Sequence, residues 1–552
     1  MAKKRPRPEP GAVDAGPSWR AGLAVFAAAL ALRSLHLFLY RGDFWLKTPL
    51  LDDAIFVSWA GTIAREGWLA RSLGMFDFNP GYPYFLALLR QVTGDSVLGV
   101  IAFQHAAGAL APVVLFQLTW RAFGRSAAWA AAGMGVLYGP VFFYESRLLG
   151  EFWIYLLNLA ALLAMLRAAR AERPWLLWSA AGLALGTSTV LRPNVLVFVP
   201  CAAAWCAMSL RRRPALLAAC LLALAAGIWL PLLPFQLRNR AVVPSAGWGL
   251  STASGGVNLF LGNNPEADGL NKAPSFVRYG PGHEYDDFRD EAQRRMGRPL
   301  SRREVSRYWS REARRWFAGS PGAAWSLFAR KCGFFWNHRE PPDNFFPEIF
   351  DRFTALGKAP LVPWGLVAPL GLAGLLWSLR RKEDREPWLL HAYVAAYFFV
   401  NAAFYILSRY RFPAVAALIP FAAFALVRLK ESWERGARGR AAGLAAVMLL
   451  CLGLSRLPLI GEEDKAVSRY SMGVIYANQG WKDKAVEQYR ASIAENPEFK
   501  APYLNLGILL VELGRIPEGM AALEGALRLE TDPRQAELIR DNLARLKAGP
   551  GR

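Results

Sequence analysis

Paired carboxylates and isolated arginines at the margins of apolar runs are the residues of this sequence best equipped for chemistry. Asp52 and Asp53 open the segment LDDAIFVSWAGTIAREG, and Glu145 and Glu151 flank a turn in YESRLLGEFWIYLL. Arg192 stands in VLRPN, Arg238 in QLRNR, and Arg409 and Arg411 in SRYRFP. A carboxylate can take a proton, and a guanidinium fork binds phosphate in two-point geometry. Ionisable groups in or beside a membrane span cost about 2.5–3.5 kcal/mol to insert, so their retention points to use. Four arginines together with Asp52 suit an anionic lipid headgroup. Taken singly, each arginine has the alternative of snorkelling to the headgroups. Each acid has the alternative of a helix N-terminus or a structural ion pair, with Arg147 the nearest cation to Glu145 and Glu151.

The elements that must position these groups follow from composition. With 552 residues, 54% hydrophobic content and 21 Trp, the chain holds more apolar material than one soluble core uses. Apolar runs fall at 21–40 and near 97–120, 126–144, 148–166, 175–191, 194–210, 215–235, 361–379, 388–407, 412–427 and 441–459. Each approaches the ~20 residues that cross ~30 Å of hydrocarbon, which predicts about eleven transmembrane helices in an all-α polytopic protein. The first run is too long and too poorly ended for a cleaved signal peptide, and reads as a span behind a basic cytoplasmic tail, 1–20.

The formal charge of +22 would suit nucleic acid in a soluble protein, but here it sits in short clusters between apolar runs. A cytoplasmic N-terminus places 22 Lys and Arg in the inner segments, against Arg147, Arg192, Arg409 and Arg411 in the short outer turns. The expected membrane domain is then 21–460, with extracytoplasmic loops 41–96 and 236–360, and the candidate acids and arginines share the outer face. The stripe Ile55, Phe56, Trp59, Ile63 and Trp68 predicts that the acid-led segment lies in the headgroup layer. The basic stretch from Asp286 to Trp316 reads as a solvated or interfacial helix, and no nucleic-acid partner is expected.

The tail has a different character. Leu506, Gly507 and Leu523 fall 34 residues after Met472, Gly473 and Tyr489, although Gly519 replaces the Ala expected opposite Ala485. Two helix-turn-helix units at this period resemble a tetratricopeptide array, and 466–548 is the expected repeat domain, extracytoplasmic and ending in a third, capping helix. Neither the five cysteines nor the scattered His36, His105, His283, His338 and His391 have metal-ligand or disulfide spacing. No cofactor is required; a divalent cation near the acids is compatible with the sequence, without a cage that demands one.

Together these segments resemble bacterial GT-C fold glycosyltransferases related to the protein mannosyltransferase family 39 and the aminoarabinose-transferring lipid A enzymes. The resemblance rests on LDDAIF, PGYPYFLALL (Pro80–Leu89), the Glu before the fourth span, LRPN, LRN at 237–239 and SRYRFP. GGVNLFLGNNPEADG (Gly255–Gly269) and FFWNHREPPDN (Phe334–Asn344) resemble loops of the subgroup fused to tetratricopeptide repeats.

The resemblance implies an inverting transfer of a sugar from a polyprenyl-phosphate donor to a protein, glycan or lipid acceptor on the outer face of the plasma (inner) membrane. It makes Asp52 the base, with Asp53 a departure from the commoner Glu. It gives Arg238 and Arg411 the lipid phosphate, with Arg409 and Arg192 behind them. Glu145 and Glu151 would contact or orient the sugar, acceptor or an arginine, and Asn258, Asn263 and Asn264 offer carboxamides to sugar hydroxyls. The repeats would recruit an acceptor or another partner.

Other classes have less support. A transporter calls for internal symmetry and broken helices at mid-bilayer, which the sequence does not display. A ligase or polymerase of a lipid-linked envelope precursor shares the polytopic plan but not the acid pair in the first loop. A scaffold acting through its repeats would not need acids beside the membrane.

Overall fold

A computed structural model describes residues 16–76, 79–244, 254–277, 284–341, 347–380, 385–461, 465–530 and 533–548. Most of the basic tail, His283 and the end of FFWNHREPPDN lie outside these residues. The described chain is all-α apart from a small antiparallel pairing of Ala355–Leu356 with Ala359–Pro360. It divides into two compact units, a larger one ending at Ile460 and a smaller one beginning at Gly461.

Among the described residues, seven helices of the larger unit are long and apolar enough to cross a membrane. They are Trp19–Tyr40, Val97–Phe123, Glu151–Ala168, Pro193–Leu210, Pro214–Val242, Ser408–Glu434 and Arg438–Ser455. The expectation of eleven is thereby corrected, for reasons that differ among the other four runs. The run near 126–144 is broken at Tyr138, where Gly139 donates its backbone N–H to Val362 (2.9 Å) and Pro140 starts a short new helix, Gly139–Glu145. Trp364–Ser378 has only 15 residues. Pro174–Leu191 is diluted by Trp, Ser, Thr and Gly, and Glu386–Ala403 carries Glu386, His391 and Asn401.

The acid-led helix Asp52–Glu66 packs on the helix Gly81–Thr93, burying Ala60 and Ile63. Leu51, immediately before it, has φ 51°, a conformation that non-glycine residues adopt at a cost.

Four helices, Gly255–Leu261, Glu284–Met296, Arg302–Gly319 and Pro321–Trp336, form a lobe between membrane segments. Helix Arg302–Gly319 starts at a Ser301–Glu304 capping box and buries Val305, Trp309 and Ala313, one helical turn apart. Trp309 is the lobe's core, stacked on Phe276 with Phe260 tilted and Phe288 edge-on against it, and its indole N–H on the Phe288 carbonyl (3.0 Å). The single helix read from Asp286 to Trp316 is thus two helices whose tryptophan at 309 faces protein.

The smaller unit contains helices Lys465–Asn478, Lys482–Glu495, Lys500–Glu512, Ile516–Arg528 and Pro533–Ala548, each packed on the next. Gly473 lies against the Tyr489 ring, and Gly507 stands in the same relation to Leu523. Lys482–Glu512 (3.0 Å) ties the first helical hairpin to the second, and Lys500–Glu530 (2.8 Å) joins the two ends of the second.

Candidate functional site

Four of the singled-out residues meet around one aromatic ring. Arg409, in the short turn Ser408–Arg411, donates through Nη1 to Asp52 Oδ2 at 2.6 Å. Arg192, where the helix Pro174–Leu191 ends, lies 2.5 Å through Nη2 from Oε1 of Glu151, the first residue of Glu151–Ala168. The guanidinium carbons of Arg192 and Arg409 lie 4.4 Å and 5.3 Å from the ring centroid of Tyr410, which therefore joins the two ion pairs by cation–π contacts. All four charged side chains are at least four-fifths buried, so each pair is only weakly screened by water.

Within the Arg192–Glu151 pair, Glu151 Oε2 and Arg192 Nη1 are buried without a hydrogen-bond partner among the described residues. Buried polar atoms are ordinarily satisfied, so an orphaned acceptor and donor on one ion pair are positions a bound ligand can fill. Tyr410 also meets the lobe. The Tyr405 hydroxyl lies 3.5 Å from that of Tyr410 and donates to Asn258 Oδ1 at 3.0 Å. Glu284, at the start of a lobe helix, is within electrostatic reach of Asp52 and Arg409.

Asp53 takes a different partner from its neighbour. Its carboxylate is paired with Arg147 and buried, and Arg147 also donates to the Trp45 carbonyl at 3.0 Å. Burial raises the Asp53 carboxyl to about 6, with Arg147 opposing the shift. Asp52 is therefore the acid that faces Arg409 and Tyr410, while Asp53 anchors the start of its helix.

Other expected site residues occupy different places. Glu145 is fully buried and held bidentately by Arg33, with Nε 2.9 Å from Oε2 and Nη2 2.8 Å from Oε1. Its carboxylate rests against Gly108, where a Cβ would come within 2.0 Å of Oε1. The Arg147 pairing considered for Glu145 is thus replaced by Arg33, and the position set for a sugar or acceptor contact is occupied by a buried salt bridge.

Arg238 donates to the carbonyls of Leu69 (2.9 Å), Ala70 (2.9 Å) and Gly74 (2.5 Å) and to Asn239 Oδ1 (3.2 Å), with Phe76 against its guanidinium. Arg411 is fully buried and donates to the carbonyls of Phe334, Phe335, Asn337 and Arg339 and to Glu340 Oε2. Both arginines act as clamps on backbone, so a phosphate would have to displace several protein acceptors from either. Asn264 donates to the carbonyls of Phe260 (2.9 Å) and Leu261 (3.1 Å). Asn263 donates to those of Leu259 and Ala403 and accepts from Lys331 Nζ at 2.8 Å. Both turn inward, which leaves Asn258 as the asparagine beside the cluster.

Tyr405, Tyr410 and Arg33 were not picked out from the sequence. Arg33 did carry a signal, as a cation within an apolar run, where its cost demands a partner. Tyr410 carried none beyond its place between two arginines. Among the described residues no group of three or more His, Cys, Asp and Glu is placed to hold a metal ion.

Residues 77–235 match the family model described as dolichyl-phosphate-mannose-protein mannosyltransferase, a stretch that includes Glu151 and Arg192 but not Asp52 or Arg409. The chain is 32% identical over 102 residues to the photosystem I assembly protein Ycf3 of Acaryochloris marina, covering 18% of this chain and 61% of that protein. It is similar to the crystal structure of the Archaeoglobus fulgidus oligosaccharyltransferase tethered with an acceptor peptide, at 14% identity and a TM-score of 0.44, covering 84% of this chain and 58% of that one. It is also similar to the Archaeoglobus fulgidus oligosaccharyltransferase in complex with an inhibitory peptide and a dolichol-phosphate, at 15% identity and a TM-score of 0.43, covering 84% and 59%. The chain thus spans less than two thirds of the length of each of these relatives.

Proposed function

We propose that this chain is a membrane glycosyltransferase that moves a sugar from a polyprenyl-phosphate donor to a protein, glycan or lipid acceptor. The observation that carries the reading is the pair of arginine–carboxylate contacts that share the Tyr410 ring, with an unfilled donor on Arg192 and an unfilled acceptor on Glu151. The family-model match over 77–235 supports the same class of chemistry.

In this mechanism the acceptor's nucleophilic group attacks the anomeric carbon while the bond from that carbon to the phosphate oxygen breaks. Asp52 takes the proton released by the acceptor, and the electron pair of the broken bond leaves with the polyprenyl phosphate. Arg192 and Arg409 receive that charge, while Arg238 holds the backbone at 69–74 and Arg411 that at 334–339. Attack opposite the leaving group inverts the anomeric centre. Glu151 keeps Arg192 oriented and offers Oε2 to a sugar or acceptor hydroxyl. Preorganised cations at the point where negative charge develops are among the largest contributions available to such a step.

We assign the basic N-terminal tail to the cytoplasm and this site to the outer face of a bacterial plasma membrane, an assignment that counts the four helices short of span length or apolarity as crossings alongside the seven. We read the helical hairpins after Lys465 as two tetratricopeptide repeats with a capping helix, exposed on that same side. Such repeats supply a groove for an acceptor or another partner rather than chemistry.

The test is transfer of labelled sugar from a panel of polyprenyl-phosphate donors by purified full-length protein in nanodiscs, wild type beside Asp52→Asn. Transfer by the wild type that is lost in the variant, with donor still bound, supports the reading. No transfer and no donor binding across the panel would overturn it in favour of a precursor ligase or a scaffold.

A further inference from the structure

Gln104 lies in the helix Val97–Gly108, is fully buried, and has both ends of its carboxamide doubly engaged. Nε2 donates to the backbone carbonyls of Glu145 and Arg147, each at 2.9 Å. Oε1 accepts from the Tyr82 hydroxyl at 2.9 Å and from Trp153 Nε1 at 3.1 Å. The orientation of the amide is chemically forced, because two carbonyls can only accept and an indole N–H can only donate. One neutral side chain therefore binds together the turn at 145–147, the helix that begins at Glu151 and the helix Gly81–Thr93.

The turn matters for the acid pair. From it Arg147 reaches Asp53 with one terminal nitrogen and the Trp45 carbonyl with the other. Trp153 stands two residues beyond Glu151, and Tyr82 belongs to the helix on which Asp52–Glu66 packs. Gln104 itself forms no hydrogen bond with Asp52, Arg409, Arg192 or Glu151.

We infer that Gln104 is a positioning residue for the acid pair: by holding the carbonyls of Glu145 and Arg147 it sets the turn from which Arg147 pins Asp53, and so fixes the start of the helix that presents Asp52 to Arg409. A carboxamide is required for this role. Glutamate in its place would turn an oxygen toward two carbonyl oxygens, and methionine would fill the volume while leaving both carbonyls and the Trp153 N–H unsatisfied. Its consequence for turnover rests on the transferase reading; its effect on Asp53 does not.

The experiment therefore has two arms on the full-length protein in nanodiscs. In the first, carbodiimide-directed amine labelling of Asp53 is followed by mass spectrometry. Asp53 is expected to be protected in the wild type, to label several-fold faster in Gln104→Met, and to fall between these in Tyr82→Phe, which removes one of the four bonds and keeps the test open if the methionine variant does not fold. In the second, Gln104→Met is expected to lower kcat about 10–100-fold, the scale of a small misplacement of a reacting group, with the donor KM little changed. Adding Arg147→Met is expected to cause no further loss, because both act through one path. Unchanged Asp53 labelling in Gln104→Met and Tyr82→Phe would overturn the inference, as would losses that multiply in the double variant. A wild type that transfers nothing counts against the transferase reading alone, and the labelling arm still decides the role of Gln104.

Discussion

Arg409 Nη1 stands 2.6 Å from Asp52 Oδ2, across 357 residues of sequence. The cation proposed for the donor phosphate is thus neutralised by the acid proposed as base. A phosphate entering the site competes with Asp52 for the guanidinium, and an Asp52 released from it is freer to accept a proton. Both partners are mostly buried, so this exchange is of one strong contact for another rather than of contact for water.

Asp52→Asn should lower transfer about 10²–10⁴-fold, the usual range for loss of a general base, while donor affinity holds or rises because Arg409 loses its competitor. Paired measurements of turnover and polyprenyl-phosphate binding check this. A variant that loses binding instead would move Asp52 from the base to the donor site.

The four arginines should separate into two groups. Arg192→Gln and Arg409→Gln are expected to weaken polyprenyl-phosphate binding by about 1.5–3 kcal/mol each, as for charge-assisted hydrogen bonds. Arg238→Ala and Arg411→Ala should instead lower stability, since each orphaned carbonyl costs about 1–3 kcal/mol. Thermal unfolding alongside binding per folded molecule distinguishes the groups. Normal stability with lost binding in Arg411→Ala would reverse the assignment.

Lys331 gives the lobe a pH dependence of known sign. Burial lowers its ammonium to about 7 from the ordinary 10.5, with Asn263 Oδ1 as its hydrogen-bond partner. Between these values the unfolded chain holds the proton and the native lobe does not, so stability should rise with pH from about 7 to 10.5 and be lowest below that window. Amide exchange in the helix Pro321–Trp336 across this range reads the slope, and Lys331→Met should flatten it. An unaltered slope in that variant would assign the dependence to another group.

Gly473 tests the smaller unit by itself. A Cβ there would fall 2.6 Å from two ring carbons of Tyr489, so Gly473→Val should cost about 1–3 kcal/mol by overpacking. Limited proteolysis should then cut after Gly461 sooner than in the wild type. Equal resistance would show that the Gly473–Tyr489 contact does not hold the hairpin.

The legible parts of this protein were those that local chemistry dictates. An apolar run of span length, an acid pair just beyond one, basic clusters between them and a 34-residue register in the tail can all be read along the chain, because hydropathy and periodicity are properties of neighbours. Helix breaks were harder to read. The run near 126–144 carries a local breaker in Gly139–Pro140, yet the Val362 carbonyl that receives the Gly139 N–H comes from a distant segment.

Partner choice among charged groups could not be read at all. By residue type Arg192, Arg238, Arg409 and Arg411 are alike, and so are Asp52 and Asp53. Only packing sends Arg238 and Arg411 into backbone carbonyls while Arg192 and Arg409 pair with carboxylates beside Tyr410, and only packing turns Asp53 to Arg147 and Asp52 to Arg409. The physical reason is that a buried charge is stable only with a partner, and which partner is within 3 Å depends on how distant segments meet. Composition and order thus determined that this chain has apolar spans with acids and cations at their margins. The tertiary structure decided which of those charges became clamps and which were left facing one another at the candidate site.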